Sequence, residues 1–478
     1  MPSGRADARV LTRSRPRRKL PGGGFAATRV LLINPPSPEQ LGAPLLGLQY
    51  VAASLLERGH EVRVIDAAAR HFDLTLDEIV AEVDAFEPEI VGVSLFTRWV
   101  WHAYRLVERL RGRVPLLVAG GAHTTVRPEE TLEHGFDVAV VGEAELAFPE
   151  LVAAFGRGER PAGVVLGGLV SDLDSVPFPQ LSQDLFDPGW YDAAGREVIP
   201  GGVLTSRGCP ARCTFCANYV TGRVFRYRSA ESVVAEVNAY HARFGTTFFP
   251  CWDDALTANR VRLYELCAAL EERCEFPFTW SAITRANMVK PELLAAMRRA
   301  GLVHVNFGVE SGDDDILRAI KKGLKTDHVV RALEWAKDAG LSTACNFMLG
   351  FPQEDPAALA RTLAFMQRIA PLVDTFSTLG VLVPFPGTPL YDDYHVDYGF
   401  TDWWLREECS HYSPPPPIDD FDRFYRHYVD DTNLELDFFH YSDEMRELMR
   451  ECMRFKAEHN LRKMGLLADP VFQPAPVA

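Results

Sequence analysis

Two series of short apolar runs, each closed by Gly, Pro, Asn or Asp and followed by a helical pattern, constrain this chain more than any other feature. Apolar runs without polar alternation are strands covered on both faces, the habit of parallel sheets wound with helices. The first series is Val30–Ile33, Val62–Asp66, Ile90–Leu95, Pro115–Ala119 and Val138–Val141, with helical stretches over 46–58, 76–86, 101–111 and 128–133 between them. This alternation predicts a doubly wound, flavodoxin-like open sheet over residues 28–156, with its ligand at the carboxyl ends of the strands. Those ends carry Asn34, Asp66, Ser94, Gly120-Gly121 and Gly142-Glu143. The second series is Val203-Leu204, Thr247–Cys251, Phe278–Ala282, Val303–Val309, Ala344–Leu349 and Thr378–Leu382. It predicts a partial (β/α)6 barrel over 199–395, whose chemistry sits at the C-terminal strand ends. The fold class is α/β in two parts.

The segments around these series read differently. Residues 157–198 are Gly/Pro-rich, with Asp172, Asp174, Pro177 and Pro179, and read as a linker. Residues 1–27 are rich in Arg, Pro and Gly, and read as a disordered tail or as a start codon placed too early. Pro16 and the glycines at 22–24 break the amphipathic helix a mitochondrial presequence needs, and no apolar stretch of the kind that opens a secreted protein follows. Residues 396–478 read as a small C-terminal cap: prolines at 414–417, an aromatic and acidic segment from Phe421 to Tyr441, then a helix over 443–460.

Composition narrows the function. The net charge is −15, and the first twenty residues hold seven Arg/Lys against one Asp, so the remainder is more acidic still; nucleic acid is a poor partner. No window approaches the apolar length of a membrane span. Nine cysteines in a chain of 478 residues with no secretory signature read as reduced thiols or ligands. The expectation is a soluble cytoplasmic protein acting on a small molecule.

One cysteine group stands apart. After the first barrel strand the chain reads Cys209-Pro-Ala-Arg-Cys213-Thr-Phe215-Cys216, three thiols within eight residues in one loop. They can hold three irons of a cubane cluster and leave the fourth open to a chelating ligand. A structural zinc needs four protein ligands, and no fourth Cys or His lies at ligand spacing.

This C-x3-C-x2-C spacing after the first strand of a βα barrel resembles the radical S-adenosylmethionine (SAM) superfamily, over most of residues 200–395. The resemblance implies a [4Fe-4S] cluster on Cys209, Cys213 and Cys216, whose open iron binds SAM. One electron, from a donor such as flavodoxin or ferredoxin, then cleaves SAM to a 5′-deoxyadenosyl radical that takes hydrogen from an unactivated carbon. It further implies SAM contacts at Phe215, at Asp253 and Asp254 after the second strand, and at Arg285 after the third. Glu310 and Ser311 after the fourth strand and Gly350 after the fifth complete that set. Tyr219, three residues beyond the last cluster cysteine, is a candidate catalytic donor of a proton or hydrogen atom. Arg226 and Arg228 in the same stretch read as structural, facing acids.

The open sheet ahead of such a barrel resembles the cobalamin domain of the B12-binding radical SAM subfamily, carried by Asn34-Pro35-Pro36, Gly120-Gly121-Ala-His123-Thr124 and Val141-Gly142-Glu143. The implied cobalamin residues are Asn34, Ser94, Gly120, Gly121, His123, Gly142 and Glu143. The axial-ligand pattern D-x-H-x-x-G is absent. Trp99 and Trp101 after the third strand either fill cofactor space or pack a helix. The leading expectation is cobalamin-dependent C-methylation of a secondary-metabolite-type substrate. The alternatives are a cobalamin-independent lyase or dehydratase acting on a sugar-like 1,2-diol, a radical cyclisation or rearrangement, and a non-enzymatic cobalamin sensor. The intact cluster motif argues against the last.

Overall fold

The computed structural model describes residues 27–37, 41–69, 74–191, 202–410 and 433–467. The expected N-terminal tail up to residue 26, the prolines at 414–417 and the aromatics at 421–428 lie outside the described residues. The described chain divides into two compact units. One comprises the residues up to Val203, Asn218–Thr246, and the segment from Asp402 to residue 410. The other comprises Leu204–Ala217, Thr247–Thr401 and residues 433–467.

The first unit is built on a parallel sheet of β1 (Arg29–Asn34), β2 (Glu61–Asp66), β3 (Ile90–Ser94), β4 (Leu117–Gly120), β5 (Val138–Gly142) and β6 (Gly163–Gly168), in the order β2-β1-β3-β4-β5-β6. The strand order reverses at β1, and such a switch point opens a crevice at the carboxyl ends of β1 and β3. Val30, Leu31, Leu32 and Ile33 are at most 2% exposed, because helices cover both faces. Such burial explains the unbroken apolar runs in the sequence.

The described part of the segment read as a linker, residues 157–191, belongs to this unit. β6 pairs with β5 along its length, and the 3-10 turns Pro179–Leu185 pack on the helix Leu46–Glu57. Gln49 Nε2 donates to Gln183 Oε1 at 2.8 Å, and the Ser182 hydroxyl donates to Gln49 O at 2.9 Å. Turns of this kind have no 3.6-residue period, so their Gly/Pro content dominates the sequence signal. A two-residue strand, β8 (Arg226–Tyr227), and the helix Ala230–Phe244 also belong to the first unit.

The second unit carries five parallel strands: β9 (Phe248–Cys251), β10 (Thr279–Thr284), β11 (Leu302–Glu310), β12 (Ser342–Leu349) and β13 (Thr375–Val381). They follow one another in chain order across a curled sheet, the partial barrel of the expected fold class. The sixth strand expected at Val203-Leu204 is a two-residue strand, β7 (Ser206–Arg207), outside this sheet. Asp253 ties that stretch by its side chain: the carboxylate accepts from Thr205 N at 2.6 Å and from the hydroxyls of Thr205 and Ser206 at 2.5 Å. The helix Asp443–Lys463 closes the unit, with Asn460 bonded to both backbone groups of Phe376 on β13. No helix among the described residues is long and apolar enough to cross a membrane.

Candidate active site

The cysteine loop lies in the second unit and is tied at its middle. Thr214 N donates to Ile320 O and Thr214 O accepts from Leu390 N, each at 3.0 Å. Gly208 N donates to Asp254 Oδ2 at 2.8 Å, and Cys216 N closes a turn onto Cys213 O. Exposure rises along the loop's last two cysteines: Cys213 is buried and Cys216 exposed, with Cys209 between. Arg285, the residue after β10, donates through Nη1 to Cys213 Sγ at 3.4 Å. The Arg285 Nε–H is buried with no partner, a donor ready for an anionic group beside Cys213. That orphan and the three-thiol loop fit a cluster with a carboxylate-bearing ligand. Among the described residues, no three His, Cys, Asp or Glu side chains are placed to hold a single metal ion. The remaining six cysteines are poor ligands. Burial pushes their thiols up, Cys274 to about 11 and Cys267 and Cys452 to about 12, so they stay protonated.

The strand-end residues divide by what their side chains touch. Glu310 ends β11 in the left-handed region at φ 75°, which strains a non-glycine residue, and its carboxylate takes Lys322 Nζ at 2.6 Å. Lys322 also lies 6.0 Å over the Phe215 ring, whose other neighbour is Phe351 at 5.6 Å. Phe215, Glu310 and Arg285 are therefore gathered around the cysteine loop, and Asp254 borders it. Asp253 is fully engaged by Thr205 and Ser206. Ser311 is buried, bonded to the Thr362 hydroxyl at 3.2 Å. Gly350 has φ 85°, and a Cβ there would clash with Tyr441 Oη, so the glycine makes room for Tyr441. Sequence reasoning gave Lys322, Arg262 and Tyr441 no site role. Arg262 is buried and donates to Thr205 Oγ1 and O, bracing the stretch before the loop. The i+12 spacing of Glu310 and Lys322, either side of one short helix, is the one clue the sequence offers.

At the carboxyl edge of the first unit's sheet, Ser94, Gly120 and Gly142 are half-buried, and a Cβ on Gly120 would meet nothing within 4 Å. Gly121, at φ 99°, turns the chain tightly against Leu95 O. This edge of small side chains fits a bulky planar group. Asn34, His123 and Glu143 are buried and engaged internally. Asn34 donates to Asp66 Oδ1 at 2.8 Å, and Tyr191 OH donates to Asp66 Oδ2 at 2.6 Å. Burial raises the Asp66 carboxyl above its usual range. The two ring nitrogens of His123 face the Thr97 hydroxyl and Glu130, each at 3.1 Å, and burial lowers the imidazole below its ordinary range against the pull of Glu130. Tyr104 OH and Trp404 Nε1 also donate to Glu130. Glu143 forms a two-point ion pair with Arg226, at 2.7 and 2.8 Å, and accepts from Val170 N at 2.6 Å. Arg228 pairs with buried Glu236. Trp99 and Trp101 are half-buried under the guanidiniums of Arg98 and Arg105, at 5.0 and 5.4 Å. Tyr219 is half-buried within the first unit.

The family models for the radical SAM superfamily and the B12 binding domain match residues 203–366 and 42–152. An uncharacterized methyltransferase of Pyrococcus horikoshii is 31% identical over 391 residues, covering 76% of this chain and 82% of that protein. The chain belongs to the B12-binding radical SAM enzymes. Radical SAM membership brings a [4Fe-4S] cluster and SAM as cofactors, and the B12-binding domain brings cobalamin. The fold is shared with two solved B12-binding radical SAM structures. The methyltransferase TsrM of Kitasatospora setae matches with a TM-score of 0.61 at 19% identity, over 77% of this chain and 76% of that one. The cobalamin-dependent SAM radical enzyme OxsB matches with a TM-score of 0.65 at 15% identity, over 94% and 82%.

Proposed function

We propose that this radical SAM enzyme transfers a methyl group to an unactivated carbon of a small, secondary-metabolite-type substrate, with cobalamin as methyl carrier. The observation that carries the reading is one chain holding both a braced three-cysteine loop with an orphaned donor beside it and an open small-residue edge on a B12-binding sheet. When bound, the cluster and SAM supply a 5′-deoxyadenosyl radical by one-electron reduction, and cobalamin supplies the carried methyl group.

In this reading Cys209, Cys213 and Cys216 hold the cluster. Arg285 donates to the Cys213 sulfur through Nη1 and offers Nε to the SAM carboxylate. Phe215 and Glu310 line the SAM site, with Lys322 holding the Glu310 carboxylate in place, and Asp254 borders it. Gly350 and the engaged Asp253 and Ser311 shape the walls without donating side chains. Ser94, Gly120, Gly121 and Gly142 form the corrin edge, while Asn34, His123 and Glu143 hold that edge in shape from beneath. Tyr219 is the candidate donor to the product-forming site, and a flavodoxin or ferredoxin supplies the electron.

The test is anaerobic purification with cobalamin supplied, then iron and corrin analysis and product assay with SAM and reductant. Methylation yields S-adenosylhomocysteine beside 5′-deoxyadenosine. Iron without corrin, and 5′-deoxyadenosine without S-adenosylhomocysteine, overturns methylation in favour of the diol lyase.

A further inference from the structure

The turn after β12 is held by three hydrogen bonds to two side chains. Gly350 N and Phe351 N donate to Glu354 Oε2 at 2.7 and 3.1 Å, and Gly350 O accepts from Tyr441 OH at 2.8 Å. Tyr441 is 7% exposed and occupies the space a Gly350 side chain would need. The next residue, Phe351, is wholly buried, and its ring meets Phe215 inside the cysteine loop at 5.6 Å. Phe215 thus has Phe351 on one side and the Lys322 ammonium on another. Tyr441 lies 91 residues from Gly350, just ahead of the closing helix.

We propose that Tyr441 is a positioning residue for SAM binding, setting the place of Phe215 through the Gly350–Phe351 turn. The inference rests on the reading of Phe215 as a SAM contact. A buried carbonyl that loses its donor relaxes toward another partner. Gly350 is the residue able to rotate there, and its movement carries Phe351 away from Phe215.

The experiment uses the full chain, purified anaerobically with its cluster reconstituted, and titrates SAM against the electron paramagnetic resonance spectrum of the reduced cluster. For Tyr441→Phe the expected result is unchanged iron content, an unchanged spectrum without SAM, and a dissociation constant for SAM raised about five-fold, with kcat for 5′-deoxyadenosine little altered at saturation. Phe351→Leu keeps an apolar side chain but removes the ring contact, and should act in the same direction. Phe455→Leu is the comparator, because that ring packs on Phe376 at 5.8 Å in the same unit. It should lower stability and leave SAM affinity alone. Wild-type SAM affinity in both Tyr441→Phe and Phe351→Leu overturns the proposal. So does a Phe455→Leu variant that weakens SAM as much as Tyr441→Phe at equal loss of stability. If Tyr441→Phe fails to fold, Phe351→Leu decides. A wild-type spectrum that SAM leaves unchanged overturns the SAM-site reading beneath the proposal.

Discussion

Replacing Arg226 with Met should cost the first unit more stability than any surface change, because the loss falls on a buried charge. The Arg226 and Glu143 side chains are 8% and 2% exposed. Arg226 makes four hydrogen bonds, two to Glu143 and one each to Val170 O and Thr221 O. Removing one partner of a buried pair typically costs about 3–5 kcal/mol, since the remaining charge stays desolvated. Val170 N still donates to Glu143 at 2.6 Å, which places the loss at about 3 kcal/mol. At about 2–4 °C per kcal/mol for a unit of this size, Tm falls by roughly 10 °C. The assay is thermal and urea unfolding of the apoprotein, without cobalamin or cluster. Arg226→Met combined with Glu143→Leu removes both charges and should recover more than half of the loss. A single variant costing under about 1 kcal/mol, or a double variant no better than the sum of its parts, refutes the brace. Loss of cobalamin affinity in Glu143→Gln with apoprotein stability intact would instead make Glu143 a corrin contact.

Other outcomes are as definite. Cys209→Ala, Cys213→Ala and Cys216→Ala should each abolish reductive SAM cleavage, measured as 5′-deoxyadenosine by chromatography. A Cβ on Gly120 meets nothing within 4 Å, so Gly120→Leu should change Tm little while abolishing corrin retention on purification. Glu354 is buried, and burial raises its carboxyl to about 8 against the opposing N–H groups of Gly350 and Phe351. The folded chain therefore holds a proton that the unfolded chain releases near 4.5, and stability should fall as pH rises from about 4.5 to about 8. Glu354→Gln should match wild type near pH 5 and exceed it near pH 8 in urea midpoint.

The sheet architecture was legible because each strand is a local event. Val30–Ile33 is apolar throughout since both its faces are covered, and that signal needs no partner to be read. The cysteine loop was legible for the same reason, its three thiols lying within eight residues. β6 and the turns at 179–185 were not, because Gly and Pro describe the backbone's freedom and are silent on what it packs against.

Side-chain use was the larger gap. Sequence position places Asn34, His123, Glu143 and Asp253 at strand ends, where a ligand belongs, and a carboxylate at a strand end looks the same whether it faces a ligand or an arginine. The pairing of Glu143 with Arg226 spans 83 residues, Cys213 with Arg285 spans 72, and Gly350 with Tyr441 spans 91. The chain by itself determined the two parallel sheets and the cluster motif, whose information lies in short-range spacing. Tertiary structure alone decided which strand-end groups stay open and which are locked inside, because burying a charge or a polar group demands a partner that only the folded chain brings within reach.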